Sequence, residues 1–415
     1  MSHKKEALDA LNPNQKQALE LLNSGENVFL TGGAGCGKSF VVKHFTRDLN
    51  SKQMPILAST GAAAVLLGGR TFHSFFGLGI MEGGVEATFQ RASHDKRLLK
   101  RLREIEGVIL DEVSMISGQT LDLAESLARQ ARESQLPWGG LRVIAVGDFA
   151  QLPPITRTGQ RDWAFQSASW KNSGFLAYRL THNERIQDES YLSILNKVRD
   201  GIVDQKVKEF LDEHTFEHSD EDTATRLFSR RDQSLDYNLK RLAEIDNNEV
   251  IIPSIYFGSE RHQEMMMKTS PVPKELRLKV GAEVMFIQND PSKRWVNGTR
   301  GTVVEIEDDK ITVGKRQGRD VTVEKQQFSQ LDADGNVVAS VIQFPLTLAY
   351  ATTIHKSQGA TLDELWCDLS NLWEPGQAYV ALSRLRYARG LKILRWTPRS
   401  IRVDPFVRQF YIDME

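Results

Sequence analysis

A glycine-rich loop near the start of the chain has the composition of a phosphate-binding site, fitting the pattern G-x-x-x-x-G-K-[ST]. Its residues are Gly32, Gly33, Ala34, Gly35, Cys36, Gly37, Lys38 and Ser39. The glycines would let backbone N–H groups close around phosphates at the N-terminus of a following helix. Lys38 would neutralise the β- and γ-phosphates of ATP, and the Ser39 hydroxyl would take a Mg²⁺ position. The alternative is a glycine-rich turn, but a strand-like segment at 28–30 and a helical one at 40–49 favour the nucleotide site.

Two further strand-like segments end in residues that could act on a bound nucleotide. Asp111 and Glu112 directly follow the apolar run 108–110. Asp111 would hold magnesium through water, and Glu112 would orient and deprotonate the attacking water. Gln151 follows the apolar run 142–146 and could sense the γ-phosphate. An acidic pair capping a strand and an ordinary turn are the alternatives, which the upstream phosphate loop disfavours.

A helical-looking stretch far along the chain, 377–384, ends on Arg384. Phosphoryl transfer spreads negative charge over the γ-oxygens, and an arginine on a second, mobile domain could stabilise that charge. Such an arginine would couple hydrolysis to domain movement. The alternative is a surface arginine like its neighbours Arg386, Arg389 and Arg395.

These groups need at least one parallel α/β sheet to position them. Buried-strand signals at 55–58, 108–110 and 142–146 each end in polar residues, as at the carboxyl ends of parallel strands. We predict a first α/β domain over residues 1–179, with a small glycine-rich insertion at 77–95. A second would cover 180–271 and 345–415. Alternating polarity and hairpin signals at 297–298, 308–309 and 334–335 predict a small β-barrel inserted at 272–344.

Length, charge and composition mainly exclude classes of protein and kinds of site. A length of 415 residues allows two to four domains. A net charge of −1 argues against a bulk electrostatic nucleic-acid binder, so a DNA footprint would be a local basic track. The two cysteines predict neither a disulfide nor a zinc site and fit a reducing compartment. No apolar run reaches the ~18 residues that a membrane span needs, so we expect no membrane partner. We expect a cytoplasmic location and a bacterial or phage origin, while a nuclear location stays open.

The order of the motifs resembles that of superfamily 1B DNA helicases. The matching segments are 32–39, 111–115, 147–154, 351–359 and 379–384. Residues 121–155, including Arg132 and Pro137-Trp138-Gly139-Gly140, resemble the signature of the petite-integration-frequency (PIF) helicases, relatives of the RecD and Dda enzymes. The resemblance covers about residues 11–395. It implies an α/β fold with two RecA-like P-loop domains, a small wedge insertion, and an inserted β-barrel similar to the Src-homology-3 type.

The resemblance also implies roles for individual residues. Gln15 would read the adenine edge, Gly359 would belong to the nucleotide site, and Arg185 would join Arg384 as an arginine supplied by the second domain. A single-stranded DNA track would use residues of both domains: Thr60, Thr71, Phe72, His73, His355, Lys356 and Ser357. The aromatic rings of Phe72, Phe76 and Trp295 could stack on bases, although phenylalanine is usually a core residue.

The function implied is ATP-driven translocation on single-stranded DNA, 5′ to 3′, with unwinding of duplex or other structured DNA, in replication, repair, recombination or telomere maintenance. Its partners would be single strands and single/double-strand junctions; quadruplex DNA stays open. We expect a monomer, with dimers on DNA left open. One alternative is a DNA-stimulated ATPase that strips proteins or remodels DNA without efficient unwinding, which strand displacement would distinguish. Another, a nucleotide-gated DNA-binding module, would need neither Glu112 nor Arg384.

Overall fold

The computed structural model describes residues 11–414, apart from 48, 68, 80, 82, 155–160, 218–223 and 317. The chain divides into two compact units, each assembled from separate stretches. The first comprises Met1–Glu184, Gln330–Val337 and Pro405–Glu415, and the second comprises Arg185–Ser329 and Val338–Asp404. Within the described ranges, no helix combines the length and apolar character that a membrane span requires.

The first unit is built on a six-stranded sheet in the order β3-β2-β4-β5-β1-β6, paired in parallel throughout. Its strands are β1 (Val28–Gly32), β2 (Ile56–Ala58), β3 (Arg70–Thr71), β4 (Gly107–Asp111), β5 (Arg142–Val146) and β6 (Leu176–Leu180). Its helices are Pro13–Leu22, Lys38–Thr46, Gly61–Leu67, Phe72–Phe75, Gly84–Ser93, Lys96–Glu104, Gly118–Arg132, Ala168–Asn172 and Pro405–Met414. The central strand β1 is buried along its whole length, which explains its unbroken apolar start.

The glycine-rich segment 77–95 is partly helical. Its helix Gly84–Ser93 packs, together with the next helix Lys96–Glu104, against Gly118–Arg132. Thr88 and Ala92 are buried on the packed side, while residues 80 and 82 lie outside the described residues. Most of the segment is therefore a docked helix, and its use as a wedge stays a prediction.

The helix Pro405–Met414 belongs to the first unit, whereas the sequence suggested the second domain for residues 345–415. Its Phe410 ring lies against the rings of four residues of the first unit. These are Phe29, Phe149, Phe165 and Trp170, at centroid distances of 6.0, 5.4, 4.5 and 6.2 Å. The prediction for residues 405–415 was wrong because aromatic packing across the whole length of the chain leaves no local signal.

The second unit contains a four-stranded sheet in the order β18-β7-β19-β20, again with parallel pairs. The strands are β7 (Thr225–Phe228), β18 (Ala351–Thr353), β19 (Leu365–Asp368) and β20 (Leu391–Arg395). The helices of this unit are Glu189–Arg199, Gln205–Glu213, Arg231–Ala243, Glu260–Thr269 and Gln377–Leu382. The unit begins at Arg185, a few residues later than the boundary suggested by the sequence.

Within the part of the chain that the structure describes, ten further strands interrupt this α/β pattern, as the hairpin signals indicated. They are β8 (Val250–Pro253), β9 (Ile255–Gly258), β10 (Glu275–Leu278), β11 (Glu283–Phe286), β12 (Arg300–Ile306), β13 (Lys310–Lys315), β14 (Val321–Glu324), β15 (Gln326–Leu331), β16 (Val337–Gln343) and β17 (Leu346–Leu348). They form sheets β14-β13-β12-β11-β17, β10-β8 and β15-β16-β9. The interruption is thus wider than the predicted 272–344, and its Src-homology-3 likeness stays a prediction.

Candidate nucleotide site and nucleic-acid contacts

The phosphate loop joins β1 to the helix Lys38–Thr46, and its backbone has a positive φ at Gly32, Gly35 and Gly37. Gly32 has φ +144°, and a Cβ there would lie 2.5 Å from the Leu180 carbonyl oxygen. Gly37 has φ +84°, and a Cβ there would lie 2.5 Å from Gln15 Nε2. Lys38 Nζ turns into the loop and donates to the Gly32 and Gly33 carbonyls at 2.8 and 3.2 Å. Phosphate oxygens arriving at the helix N-terminus would compete for this ammonium group.

The predicted acidic pair stands at the end of β4. Glu112 has φ +53°, a left-handed conformation that costs a non-glycine residue on the order of 1 kcal/mol. The backbone therefore turns sharply after Asp111. Burial, followed by the nearby Glu112 carboxylate, raises the pKa of Asp111 to about 7, although Lys38 opposes the shift.

A magnesium ion fits this donor set. Ser39 and Asp111 offer hard oxygen atoms, and a divalent cation beside Asp111 would favour the ionised form of its carboxyl group. Among the described residues there is no group of three or more His, Cys, Asp or Glu that could hold a metal ion. Phosphate oxygens and water would complete the shell, as Mg²⁺ prefers.

Gln151 lies in the buried turn after β5. Its Nε2 donates to Asp148 Oδ2 at 3.4 Å, and its backbone N–H donates to the Asp148 carbonyl at 3.0 Å. Asp148 is itself fully buried, with Oδ1 accepting from the Ala150 N–H. Because β4, β5 and β1 are adjacent and parallel, Asp111, Gln151 and the phosphate loop share one edge of the sheet.

The phosphate loop is supported by Asn183 and Glu184, for which no role was predicted, and by Gln15. Asn183 Nδ2 donates to the Ala34 carbonyl at 2.8 Å, and the Glu184 N–H donates to the Gly35 carbonyl at 2.9 Å. Gln15 Nε2 lies 3.5 Å from the Cys36 carbonyl and 3.4 Å from Glu184 Oε1. The capping box that Asn12 forms with Gln15 holds this glutamine in the first helical turn. The polar run after β6 was the available signal for Asn183 and Glu184.

The two predicted arginines lie together in the second unit. Arg185 Nη1 donates to the Ser383 carbonyl at 2.9 Å. Arg384 follows the helix Gln377–Leu382 and is 1% exposed, so it is not a surface arginine. Its guanidinium donates to the carbonyls of Val380 (2.7 Å) and Ser357 (3.2 Å) and to Ser383 Oγ (2.8 Å). These bonds fix the position of the side chain, while its contact with a nucleotide stays a prediction.

The predicted DNA residues of the first unit stand at two neighbouring strand ends. Thr60 follows β2 and Thr71 ends β3, and each hydroxyl accepts from a backbone N–H three residues later, at 3.2 and 3.1 Å. His73 is partly buried, and burial lowers its pKa, so its imidazole is neutral near pH 7. These side chains could position phosphates by hydrogen bonding.

The aromatic residues do not have the predicted role. Phe72 and Phe76 are fully buried and pack on each other with ring centroids 4.9 Å apart. Trp295 is 3% exposed and stacks on Phe286 inside the interrupting strands. Base stacking by Phe72, Phe76 or Trp295 is therefore contradicted, because their faces are already covered by protein.

In the second unit, the predicted DNA residues follow β18. His355 is partly buried, and burial lowers its pKa. Burial, followed by the nearby Arg231 guanidinium, lowers the pKa of the Lys356 ammonium. The cationic side chains of Lys356 and Arg231 are therefore close to each other. Ser357 is buried with Oγ donating to the Ile354 carbonyl, which corrects its prediction as a direct DNA contact. Gly359 has φ +80° and open space beside it, and its nucleotide role stays a prediction.

Comparisons with known proteins agree with these observations. A family model described as PIF1-like helicase matches residues 10–209, and one described as DNA helicase Pif1, 2B domain matches residues 264–306. The chain is 64% identical to ATP-dependent DNA helicase Pif1 of Bdellovibrio bacteriovorus, over 98% of this chain and 92% of the relative. It is 35% identical to ATP-dependent DNA helicase PIF1 of Homo sapiens over 97% of this chain, but spans 63% of that protein.

Solved structures match over nearly the full length. Bacteroides sp Pif1 in complex with ADP-AlF4 is 28% identical with a TM-score of 0.85, covering 97% of this chain and 96% of that one. Bacteroides Pif1 bound to ssDNA is 29% identical with a TM-score of 0.66, at the same coverage. Pif1 helicase of Candida albicans is 32% identical with a TM-score of 0.78, covering 98% of this chain and 99% of that one.

Proposed function

Because the chain belongs to the PIF1-like helicase family, we infer that it is an ATP-dependent DNA helicase. The observation in this molecule that carries the inference is the shared sheet edge. Lys38, Asp111 and Gln151 stand there at the ends of three adjacent parallel strands. A binding module would need the phosphate loop alone, whereas this edge also presents Glu112, a candidate base.

The first unit supplies most groups for hydrolysis. Ser39 and Asp111 would hold a Mg²⁺ ion, which supplies Lewis-acid stabilisation of the phosphate charge. Glu112 orients the water and accepts its proton, and Lys38 neutralises the phosphates. Gln151 senses the γ-phosphate from its buried turn. From the second unit, Arg185 and Arg384 add the positive charge that phosphoryl transfer requires.

The substrate proposed is single-stranded DNA next to a duplex. Bacteroides Pif1 has been solved bound to ssDNA, and another similar solved structure concerns DNA unwinding at forked dsDNA by two coordinating Pif1 helicases. In this chain Thr60, Thr71, His73, His355 and Lys356 would position phosphates, which fixes register without reading sequence. We also propose that two molecules can act on one fork and that quadruplex DNA is a further substrate. The proposed location is the cytoplasm.

The finer mechanical assignments rest on the family resemblance. We propose 5′-to-3′ translocation, strand separation at the segment 77–95, and a DNA-holding role for the strands that interrupt the second unit. The docking of Gly84–Ser93 on Gly118–Arg132 supports the wedge, because a separating element has to resist the displaced strand.

Strand displacement on tailed duplexes tests the proposal. The protein should unwind a duplex with a 5′ single-stranded tail in the presence of ATP and Mg²⁺, and should leave a 3′-tailed duplex intact. Glu112→Gln is the matched control, because it keeps the shape of the side chain and removes the base. ATP hydrolysis with no strand separation on either tail would support the translocase alternative, and DNA binding without hydrolysis would support the binding module.

A further inference from the structure

The phenol of Tyr411 forms hydrogen bonds with three groups at the sheet edge that carries the phosphate loop. Tyr411 lies on the helix Pro405–Met414 and is 7% exposed. Its hydroxyl donates to Asp148 Oδ1 at 3.0 Å and accepts from the Phe149 N–H at 3.0 Å. It also lies 3.0 Å from Thr31 Oγ1, directly before the phosphate loop. A phenol has one proton to donate and two lone pairs that can accept. Asp148 takes the proton, so the Phe149 N–H and the Thr31 hydroxyl donate to the lone pairs.

The partners of Tyr411 connect it to Gln151. Asp148 uses Oδ1 for the Tyr411 hydroxyl and the Ala150 N–H, and uses Oδ2 for Gln151 Nε2. A carboxylate held at one oxygen presents the other in a fixed direction. The Tyr411 hydroxyl therefore sets the direction from which Asp148 holds the Gln151 amide.

The ring of Tyr411 is held separately from its hydroxyl. The neighbouring Phe410 stacks on Phe165, with ring centroids 4.5 Å apart, and anchors the helix. The Arg179 guanidinium lies 5.9 Å from the centre of the Tyr411 ring. Removing the oxygen alone should leave these contacts in place, so the hydroxyl can be tested without removing the helix.

We propose that Tyr411 is a positioning residue for ATP hydrolysis, acting through Asp148 to aim Gln151 at the γ-phosphate. The proposal rests on the proposed function, because it takes Gln151 as the γ-phosphate sensor. The chain reaches Tyr411 only after completing the second unit at Asp404. An element encoded beyond one unit thus completes the catalytic edge of the other.

Tyr411→Phe tests the hydroxyl. The kcat of ssDNA-stimulated ATP hydrolysis should fall about tenfold, the scale of a hydrogen bond to a charged group. The KM for ATP and the affinity for a fluorescent ADP analogue should stay within about twofold, because Gln151 acts only on the γ-phosphate. Tyr387→Phe is the matched control, since its hydroxyl bonds Gln187 in the second unit and its loss should leave kcat unchanged. An unchanged kcat in Tyr411→Phe, or an equal loss of ADP affinity, would overturn the proposal.

A double-mutant cycle with Gln151→Ala separates this proposal from the site assignment. Gln151→Ala should lower kcat more than Tyr411→Phe does, and the double variant should be no slower than Gln151→Ala. Multiplied losses would mean that Tyr411 does not act through Gln151, and would overturn the inference alone. A Gln151→Ala variant with normal turnover would overturn the sensor assignment and the inference together.

Asp148→Asn is a second variant that keeps an oxygen for Tyr411. Its amide nitrogen could not accept from Gln151 Nε2, so a loss of kcat similar to that of Tyr411→Phe is expected, again at constant ADP affinity. Normal turnover in Asp148→Asn would contradict the connection from Tyr411 to Gln151.

Discussion

The two arginines of the second unit are assigned one catalytic role but are held differently, so their substitutions should separate stability from catalysis. Arg384 is buried and makes three donations of 3.2 Å or less, two to carbonyls and one to Ser383 Oγ. At about 1 kcal/mol each, Arg384→Ala should lower the free energy of unfolding by about 3 kcal/mol. Arg185 is partly buried, and its bond to the Ser383 carbonyl predicts a loss of about 1 kcal/mol in Arg185→Ala.

Catalysis should respond alike in the two variants. Each should lose about 10³-fold in kcat for ssDNA-stimulated ATP hydrolysis, as arginine fingers do, with a much smaller change in nucleotide affinity. Urea titration followed by circular dichroism gives the stabilities, and kcat is measured where each variant is folded. Arg386→Ala, two residues further on and exposed, is the control and should change neither quantity. Equal stabilities for the two variants would refute the structural account of Arg384, and a kcat near wild type in either would refute its catalytic assignment.

Three further predictions follow from the same structure. Lys38→Ala should abolish ATP hydrolysis in a folded protein, whereas Glu112→Gln should keep ATP and Mg²⁺ binding and lose turnover by about 10²-fold or more, measured by nucleotide binding and steady-state hydrolysis. Trp295→Leu should lower the free energy of unfolding by about 3 kcal/mol without changing ssDNA affinity, measured by urea unfolding and fluorescence anisotropy, because the indole is packed in the core. Burial lowers the pKa values of His73 and His355 in the folded protein, so the free energy of unfolding is highest above their unfolded pKa of about 6.5 and falls as the pH drops below it. The double variant His73→Gln/His355→Gln should therefore lose less stability in acid, measured by urea titration across pH.

The placement of the candidate nucleotide-site residues could be predicted from sequence because each residue follows its strand directly along the chain. The phosphate loop, Asp111 and Gln151 each follow a short apolar strand, and parallel strands bring such ends to one edge without further information. The hairpin signals at 308–309 and 334–335 also agree with the structure, because the first lies between β12 and β13 and the second between β15 and β16.

What could not be predicted depends on which face of an element is covered. Phe72 belongs to the predicted DNA track and Phe76 was predicted to stack on bases, yet both rings are buried in the core. The spacing of residues in so short a helix does not say which side meets solvent. Tyr411 and Phe410 were missed because their partners, from Phe29 to Trp170, are separated from them by the whole second unit.

The return of the chain to the first unit has a consequence for its synthesis. Residues 1–184 are translated first and include all six strands of the parallel sheet, but the aromatic surface of Phe29, Phe149 and Phe165 is left without Phe410 until residue 410 has been translated. Throughout synthesis of the second unit, the nascent first unit therefore exposes apolar rings that a chaperone or another nascent chain could bind. A fragment ending at residue 184 should aggregate for the same reason, while supplying residues 405–414 as a peptide should restore its solubility.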